Sequence, residues 1–273
     1  MLSIILYYFS VAIIGLASGF LAGLLGIGGG ILIIPSLFLL YSFYPHPHSK
    51  FLSQCILGTS NGIILINSLK NFSNYYKQGL ITIRNTLKFA GAGLTGGFVG
   101  ARVASFLNTD SLKVFFGIFL ILMSIKMGFF TKRDSQESFN LSEFQINIFI
   151  LLAIGFVVGL VSGFFGIGGG IVAVPLLTTF FKIPMIFAQG FSVSLIPFNK
   201  IGGVIGFIVG GMKDVGISLP FIGFMDISLV VICGVLGGIS SSWGLKMASK
   251  INQKALQRIF AVILIVVAIR IIW

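Results

Sequence analysis

Long apolar runs separated by short polar breaks fill this chain from end to end. A membrane span needs about 20 apolar residues. The first half supplies five candidates, at about 3–25, 29–44, 51–69, 82–106 and 111–130, and the second half five more, at about 144–165, 169–182, 186–211, 223–248 and 253–272. The second segment of each set is short, which predicts a tilted or partial span. Between the sets lies the polar run Thr131-Lys132-Arg133-Asp134-Ser135-Gln136-Glu137. The pattern therefore predicts an all-α polytopic membrane protein: a first transmembrane repeat over 1–130, a polar linker over 131–143 and a second repeat over 144–273.

The two sets are copies of one another. Residues 15–40 match 155–180 at 11 of 26 positions, including Gly15/Gly155, Gly19/Gly159, Gly23/Gly163 and Pro35/Pro175. At an offset of 144, residues 100–126 match 244–270, with Gly100/Gly244, Ala104-Ser105/Ala248-Ser249, Asn108/Asn252, Leu112/Leu256 and Phe116/Phe260 identical. Such self-similarity marks an internal duplication. Its most conspicuous shared piece is Gly26-Ile27-Gly28-Gly29-Gly30, repeated as Gly166-Ile167-Gly168-Gly169-Gly170.

Charge placement sets the topology. Counting ten spans puts twelve basic residues on one side, Lys70, Lys77, Lys132 and Arg133 among them, and five on the other, with Lys200 inside a span. Merging each short segment with its successor would leave about nine against eight, so the positive-inside rule favours ten spans. Five spans per repeat is odd, so the second repeat enters the membrane upside down. This predicts two inverted five-segment repeats with broken helices, the plan of secondary transporters, with both termini outside and a cytoplasmic linker. The first 25 residues lack the basic start of a signal peptide and have a mid-chain counterpart, so they are expected to remain as a span.

Composition agrees. The chain of 273 residues is 56% hydrophobic and 9% charged, with a mean hydropathy of +1.09, whereas soluble domains carry about 25% charged residues. The net charge of +12 is distributed between apolar segments, which suits membrane lipids and orientation rather than nucleic acid. Cys55 and Cys233 lie in apolar segments and read as small buried hydrophobes.

Each glycine destabilises a helix by about 1 kcal/mol relative to alanine, so each pentad is expected to break its span and free backbone N–H groups. Irregular backbone survives in a bilayer only inside protein or beside a water-filled cavity. The helix that restarts after each break offers N–H groups and the positive end of its dipole to an anion. The competing reading is close helix packing, which suits Gly15, Gly19 and Gly23. A nucleotide-binding loop is excluded: no strand precedes the pentad and no Lys-Ser/Thr follows it.

The third segments are the most polar, with Gln54, Thr59, Ser60, Asn61 and Asn67 in the first repeat and Gln189, Ser192, Ser194, Asn199 and Lys200 in the second. Hydrogen bonding between helices would explain each singly. Lys200 sits near mid-span, where a cation costs about 2.5 to 3.5 kcal/mol on insertion scales. It is expected to face a cavity or a partner; snorkelling from a shifted boundary is the rival. All six acids, Asp110, Asp134, Glu137, Glu143, Asp214 and Asp226, fall in or beside loops. A cation site or carboxylate relay therefore lacks residues, and the cargo is expected to be an anion. The candidate binding set is Gly28, Gly29, Gly30, Gly168, Gly169 and Gly170 with Thr59, Ser60, Asn61, Ser192, Ser194, Asn199 and Lys200. His46 and His48 lack a third metal ligand, and no catalytic constellation stands out, so no enzyme, metal or cofactor is expected.

Both copies of Gly-x-x-x-Gly-x-x-Gly-Ile-Gly-Gly-Gly followed by a hydrophobic stretch and Pro are intact, at Gly19–Pro35 and Gly159–Pro175. In these motifs the chain resembles the TauE/SafE sulfite exporter family of bacterial membrane proteins. The resemblance implies transport of small inorganic or organosulfur anions such as sulfite, thiosulfate or an organosulfonate, and a place in the bacterial cytoplasmic (inner) membrane. An alternating-access carrier is the reading this favours. A passive anion channel, a membrane scaffold and an intramembrane enzyme are the alternatives.

Overall fold

The computed structural model describes residues 2–25, 30–44, 47–77, 83–129, 148–180 and 185–248, with isolated positions between 262 and 271. Gly28 and Gly29, the linker over 131–143 and most of the segment over 253–272 lie outside the described residues.

The described chain is helical almost throughout: α1 Leu2–Leu25, α2 Gly30–Phe43, α3 Leu52–Lys77, α4 Ile83–Phe106, α5 Thr109–Phe129, α6 Ile148–Phe165, α7 Gly170–Phe180, α8 Met185–Gly211 and α9 Ile227–Ala248. These match nine of the apolar segments in order. By length and composition alone, four described stretches suffice to cross a bilayer: Ile4–Leu24, Ile148–Phe165, Ala188–Gly211 and Ile227–Met247. Large apolar side chains such as Ile4, Phe9, Phe115, Ile118 and Leu122 project outward. This is an integral membrane protein, and these faces belong in lipid.

Two boundaries differ from the hydropathy pattern. Helix α3 continues past Leu69 to Lys77, because it is the central helix of the structure: all its residues from Ser53 to Ile64 are buried, and Asn67, Ser68 and Asn71 beyond them are buried too. Past Leu69 only Asn71 and Tyr75 remain buried, while Lys70, Tyr76 and Lys77 are exposed, so the helix runs on beyond its apolar span. Before α9, three short strands, β1 Ile217–Ser218, β2 Phe221–Ile222 and β3 Met225–Asp226, form an antiparallel meander. Its Phe224 is buried against Gly58 of α3. Gly223 turns this meander with φ +54°.

Glycines set the helix crossings. A Cβ on Gly15, Gly19 or Gly23 of α1 would run into the backbone of Cys233, Gly237 or Ser241 of α9. The order rises along both helices, so α1 and α9 run parallel in backbone contact. Helices α4 and α6 do the same: Gly96 and Gly100 meet Phe156 and Leu160, while Gly159 and Gly163 meet Gly93 and Gly97. Parallel contacts also join α4 to α8, through Gly202 on Leu94 and Gly206 on Phe98, and α3 to α9, through Gly62 on Val230 and Gly234 on Ile66. Helix α3 instead runs antiparallel to α8, with Gly58 near Phe207 and Gly203 against Asn61. Small residues permit such approach, and in lipid it is packing rather than water exclusion that holds helices together.

One end of the bundle gathers the start of α1, the end of α2, the start of α3, the α4–α5 turn and the β-meander. There the Tyr7 and Tyr44 rings meet edge to face with centroids 5.3 Å apart, His48 stands on Phe221 at 4.9 Å, and the Gln54 side-chain amide donates to the Leu107 carbonyl at 2.6 Å. The opposite end carries the close of α3 and the start of α4.

Candidate functional site

The second Gly-rich break is built where α6 stops. Gly166 adopts φ +64°, a left-handed conformation that a side chain disfavours by roughly 1–2 kcal/mol. The turn frees carbonyls that need donors. The Ser60 hydroxyl of α3 donates to the Gly166 carbonyl at 2.6 Å, and the Ser162 hydroxyl donates to the Ile167 carbonyl at 2.7 Å. Helix α7 then starts: the amides of Val172 and Ala173 donate to the Gly169 carbonyl at 3.1 and 2.8 Å. The N–H groups preceding them in the first turn have no intrahelical acceptor.

Lys200 is fully buried, which removes snorkelling. Its ammonium donates to the Ser162 carbonyl at 2.8 Å and to Asn61 Oδ1 at 2.9 Å. The Asn61 amide nitrogen donates in turn to the Leu57 carbonyl at 2.8 Å. Lys200 thus caps the carbonyl end of α6, where a cation meets the negative end of the helix dipole. Both its partners are neutral. Among the described residues the ion pair formed is Lys113 with Asp110, at 3.8 Å on the surface, so no described carboxylate pairs with Lys200.

Asn199, beside Lys200 in sequence, is fully buried, and neither atom of its amide has a hydrogen-bond partner. Its Nδ2 stands 3.1 Å from the position a Cβ on Gly169 would take, and its Oδ1 lies against Gly93 of α4. An unpaired carboxamide therefore faces the start of α7. The start of α2 abuts the same place: a Cβ on Gly30 would come within 2.9 Å of the Ile167 Cα and 3.1 Å of the Gly166 carbonyl. The N-terminus of α2 is thereby held against the second break.

Of the candidate residues, Ser60, Asn61, Asn199, Lys200, Gly30 and Gly168 to Gly170 converge on this region. Ser192 is buried and unpartnered. Thr59 turns away and accepts the Asp226 amide at 3.0 Å, while Ser194 donates back to the Phe191 carbonyl at 2.7 Å within its own helix. Gly28 and Gly29 lie outside the described residues.

The sequence pattern missed Ser162, whose repeat counterpart is Ala22, so the match between copies hid it. A polar residue one turn before a glycine break was its available signal. Asp226 is a second surprise. Although next to a loop, it is only 4% exposed. It heads α9, accepting the Ser228 hydroxyl at 2.6 Å and the Leu229 amide at 3.2 Å, and lines a cavity of about 470 Å³ with Tyr7, Tyr41 and Tyr44. Burial pushes its carboxyl above the usual range, while those hydrogen bonds pull it back.

Donors without acceptors, one uncompensated cation and a helix N-terminus make a region suited to a small oxyanion. Comparison with known proteins places the chain among membrane transporters. Residues 11–271 match the family described as sulfite exporter TauE/SafE. A probable membrane transporter protein of Methanocaldococcus jannaschii is 33% identical over 254 residues, covering 92% of this chain and 90% of that one. The probable membrane transporter protein YunE of Bacillus subtilis is 31% identical over 73% of this chain and 77% of its own. A probable membrane transporter protein of Haemophilus influenzae is 29% identical over 94% and 95%. No solved structure matches the chain.

Proposed function

The chain belongs to the sulfite exporter TauE/SafE family of membrane transporters, and from that premise we propose that it carries a small sulfur oxyanion, sulfite, thiosulfate or an organosulfonate, by alternating access. The anion sits between the Gly168–Gly170 start of α7, Asn199 and Lys200, with the α2 N-terminus at Gly30 alongside. One observation carries this: a fully buried amide without partners faces a helix N-terminus beside a buried cation that no described acid neutralises. Leaving such a group unpaired costs about 1–3 kcal/mol, and an oxyanion would satisfy its N–H donors and the cation together.

The scaffold is ten segments in two inverted repeats that rock about this site. Helix directions support it. Under the sequence repeat α1 corresponds to α6, α3 to α8 and α4 to α9. Yet α1, α3 and α9 run one way and α4, α6 and α8 the other. Each counterpart pair is thus antiparallel. The basic residues Lys70, Lys77 and Lys246 lie toward the end nearer the linker, which favours a cytoplasmic linker and external termini, in a cytoplasmic membrane.

Purified protein in liposomes tests the proposal with labelled sulfite, thiosulfate and ethanesulfonate. Saturable uptake with counterflow is expected; saturation without counterflow would make it a channel. Absence of flux for every small anion tried would refute transport of this class.

A further inference from the structure

Among the described residues, the buried side-chain atoms without a hydrogen-bond partner are both amide atoms of Asn67, both of Asn199 and the hydroxyl of Ser192. All lie on α3 and α8. Native proteins pair nearly all such groups, so their concentration on two helices marks a place prepared for something else. Asn199 belongs to the site already described; Asn67 does not.

Asn67 occupies the same position in the first repeat. Asn199 presses on Gly93 of α4, and Asn67 presses on Gly237 of α9. Gly93 and Gly237 are 144 residues apart, the offset of the second repeat match. Asn67 and Asn199 are separated by 132 residues, as are Ser60 and Ser192, so these two pairs share one register. Counting along the antiparallel pair from the Gly203–Asn61 contact, the two asparagines come within about 3 Å of the same depth at about 1.5 Å per residue. They face opposite ways, one toward α4 and one toward α9.

An open groove of about 480 Å³ lies on the Asn67 side, between α3 and α9, lined by Lys70, Gly234, Gly238 and Ser242 and rimmed by the outward-facing Val235, Ile239 and Trp243. Asn67 Oδ1 is 3.9 Å from where a Cβ on Gly238 would stand, so the amide sits behind the groove wall. Lys70 follows Asn67 by three residues, on the same helix face. It is exposed and has no acidic partner among the described residues.

We infer that Asn67, the first-repeat counterpart of Asn199, forms with Lys70 a second oxyanion station, entered from the end of the bundle nearer the linker. It rests on the anion-carrier reading above. Lys70 draws the anion into the groove, and the Asn67 carboxamide donates to one of its oxygens. A sulfur oxyanion and the phosphate of an anionic lipid share this chemistry, and the test separates them.

The full-length protein is reconstituted in phosphatidylcholine liposomes and assayed with labelled sulfite and thiosulfate. Asn67→Leu, nearly isosteric, is expected to raise the melting temperature, because an unpaired amide is lost, yet to cut uptake at least tenfold. Asn67→Ser gives the same comparison if the leucine variant does not assemble. Lys70→Gln is expected to raise KM severalfold for anion offered on the linker side and not on the other. Wild-type flux that Asn67→Leu or Asn67→Ser leaves unchanged overturns the inference alone. So does thermal stabilisation by phosphatidylglycerol that requires Lys70 when sulfite gives none. A wild type that moves none of these anions overturns the carrier reading beneath it.

Discussion

The Lys200 ammonium lies 2.8 Å from the Ser162 carbonyl oxygen, so a buried cation of one helix closes the broken end of another. The same group thereby holds the break in shape and has no described acid beside it. Lys200→Gln keeps a donor for Ser162 and Asn61 but removes the charge. It is expected to fold, with thermal stability within a few degrees of wild type, and to lose anion uptake at least tenfold. Liposome flux alongside a melting curve checks both halves. Uptake equal to wild type would separate Lys200 from anion binding.

Ser60 and Gly166 hold the break from the other side. Ser60→Ala leaves the buried Gly166 carbonyl without its 2.6 Å donor, and the expected cost is about 1–3 kcal/mol. Gly166→Ala forces a side chain into φ +64° at roughly 1–2 kcal/mol. Both losses should register as lower thermal stability in detergent. Because they act on the same turn, the double variant is expected to lose less than the sum of the two.

The crossing of α1 and α9 tolerates no side chain at Gly19, where a Cβ would overlap the Gly237 backbone. Gly19→Leu is expected to destabilise by about 1–3 kcal/mol or more. Gly91→Ala makes the control. It is exposed on α4 with nothing within 4 Å of a new Cβ, so helix propensity should leave it unchanged or up to about 1 kcal/mol more stable. A melting-temperature comparison decides; equal loss at both positions would contradict the backbone contact.

Asp226 predicts a pH dependence. Burial raises its carboxyl pKa in the folded protein, against the opposing pull of Ser228 and Leu229. The folded state therefore holds the proton more tightly than the unfolded chain. The group's contribution to stability is complete below the unfolded pKa of about 3.9 and is lost as pH rises through the folded value. Asp226→Asn, which keeps an oxygen for the α9 cap, is expected to match wild type near pH 4 and exceed it at pH 8. Melting curves across that range show the sign, and a wild type more stable than the variant at pH 8 would reverse it.

Much of this was legible in the residues. Apolar length marked α1 to α9 nearly to their ends, and the second run of glycines marked the break between α6 and α7, because lipid imposes a one-dimensional demand that hydropathy can read. The acid inventory and Lys200 singled out a region of positive charge for the same reason. Thr59 and Ser194 were not distinguishable from Ser60 and Asn61 by polarity. A helix presents successive residues at about 100° intervals, and only packing decided that Thr59 meets Asp226 while Ser60 meets Gly166. Hydropathy ended the third segment at Leu69, yet the helix runs to Lys77, because backbone hydrogen bonding continues past the apolar span, where Asn71 and Tyr75 are still covered.

Alone, then, the sequence determined a helical membrane protein with a glycine break between α6 and α7, since these follow from the solvent each residue must meet. The tertiary structure decided that Lys200 caps α6 through Ser162 and that Asn199 and Asn67 face α4 and α9 unpaired. It also buried Asp226 at the head of α9. Those outcomes depend on contacts between residues far apart in the chain, such as Asn61 with Lys200 and Thr59 with Asp226, and no local pattern encodes which distant partner a polar group will find.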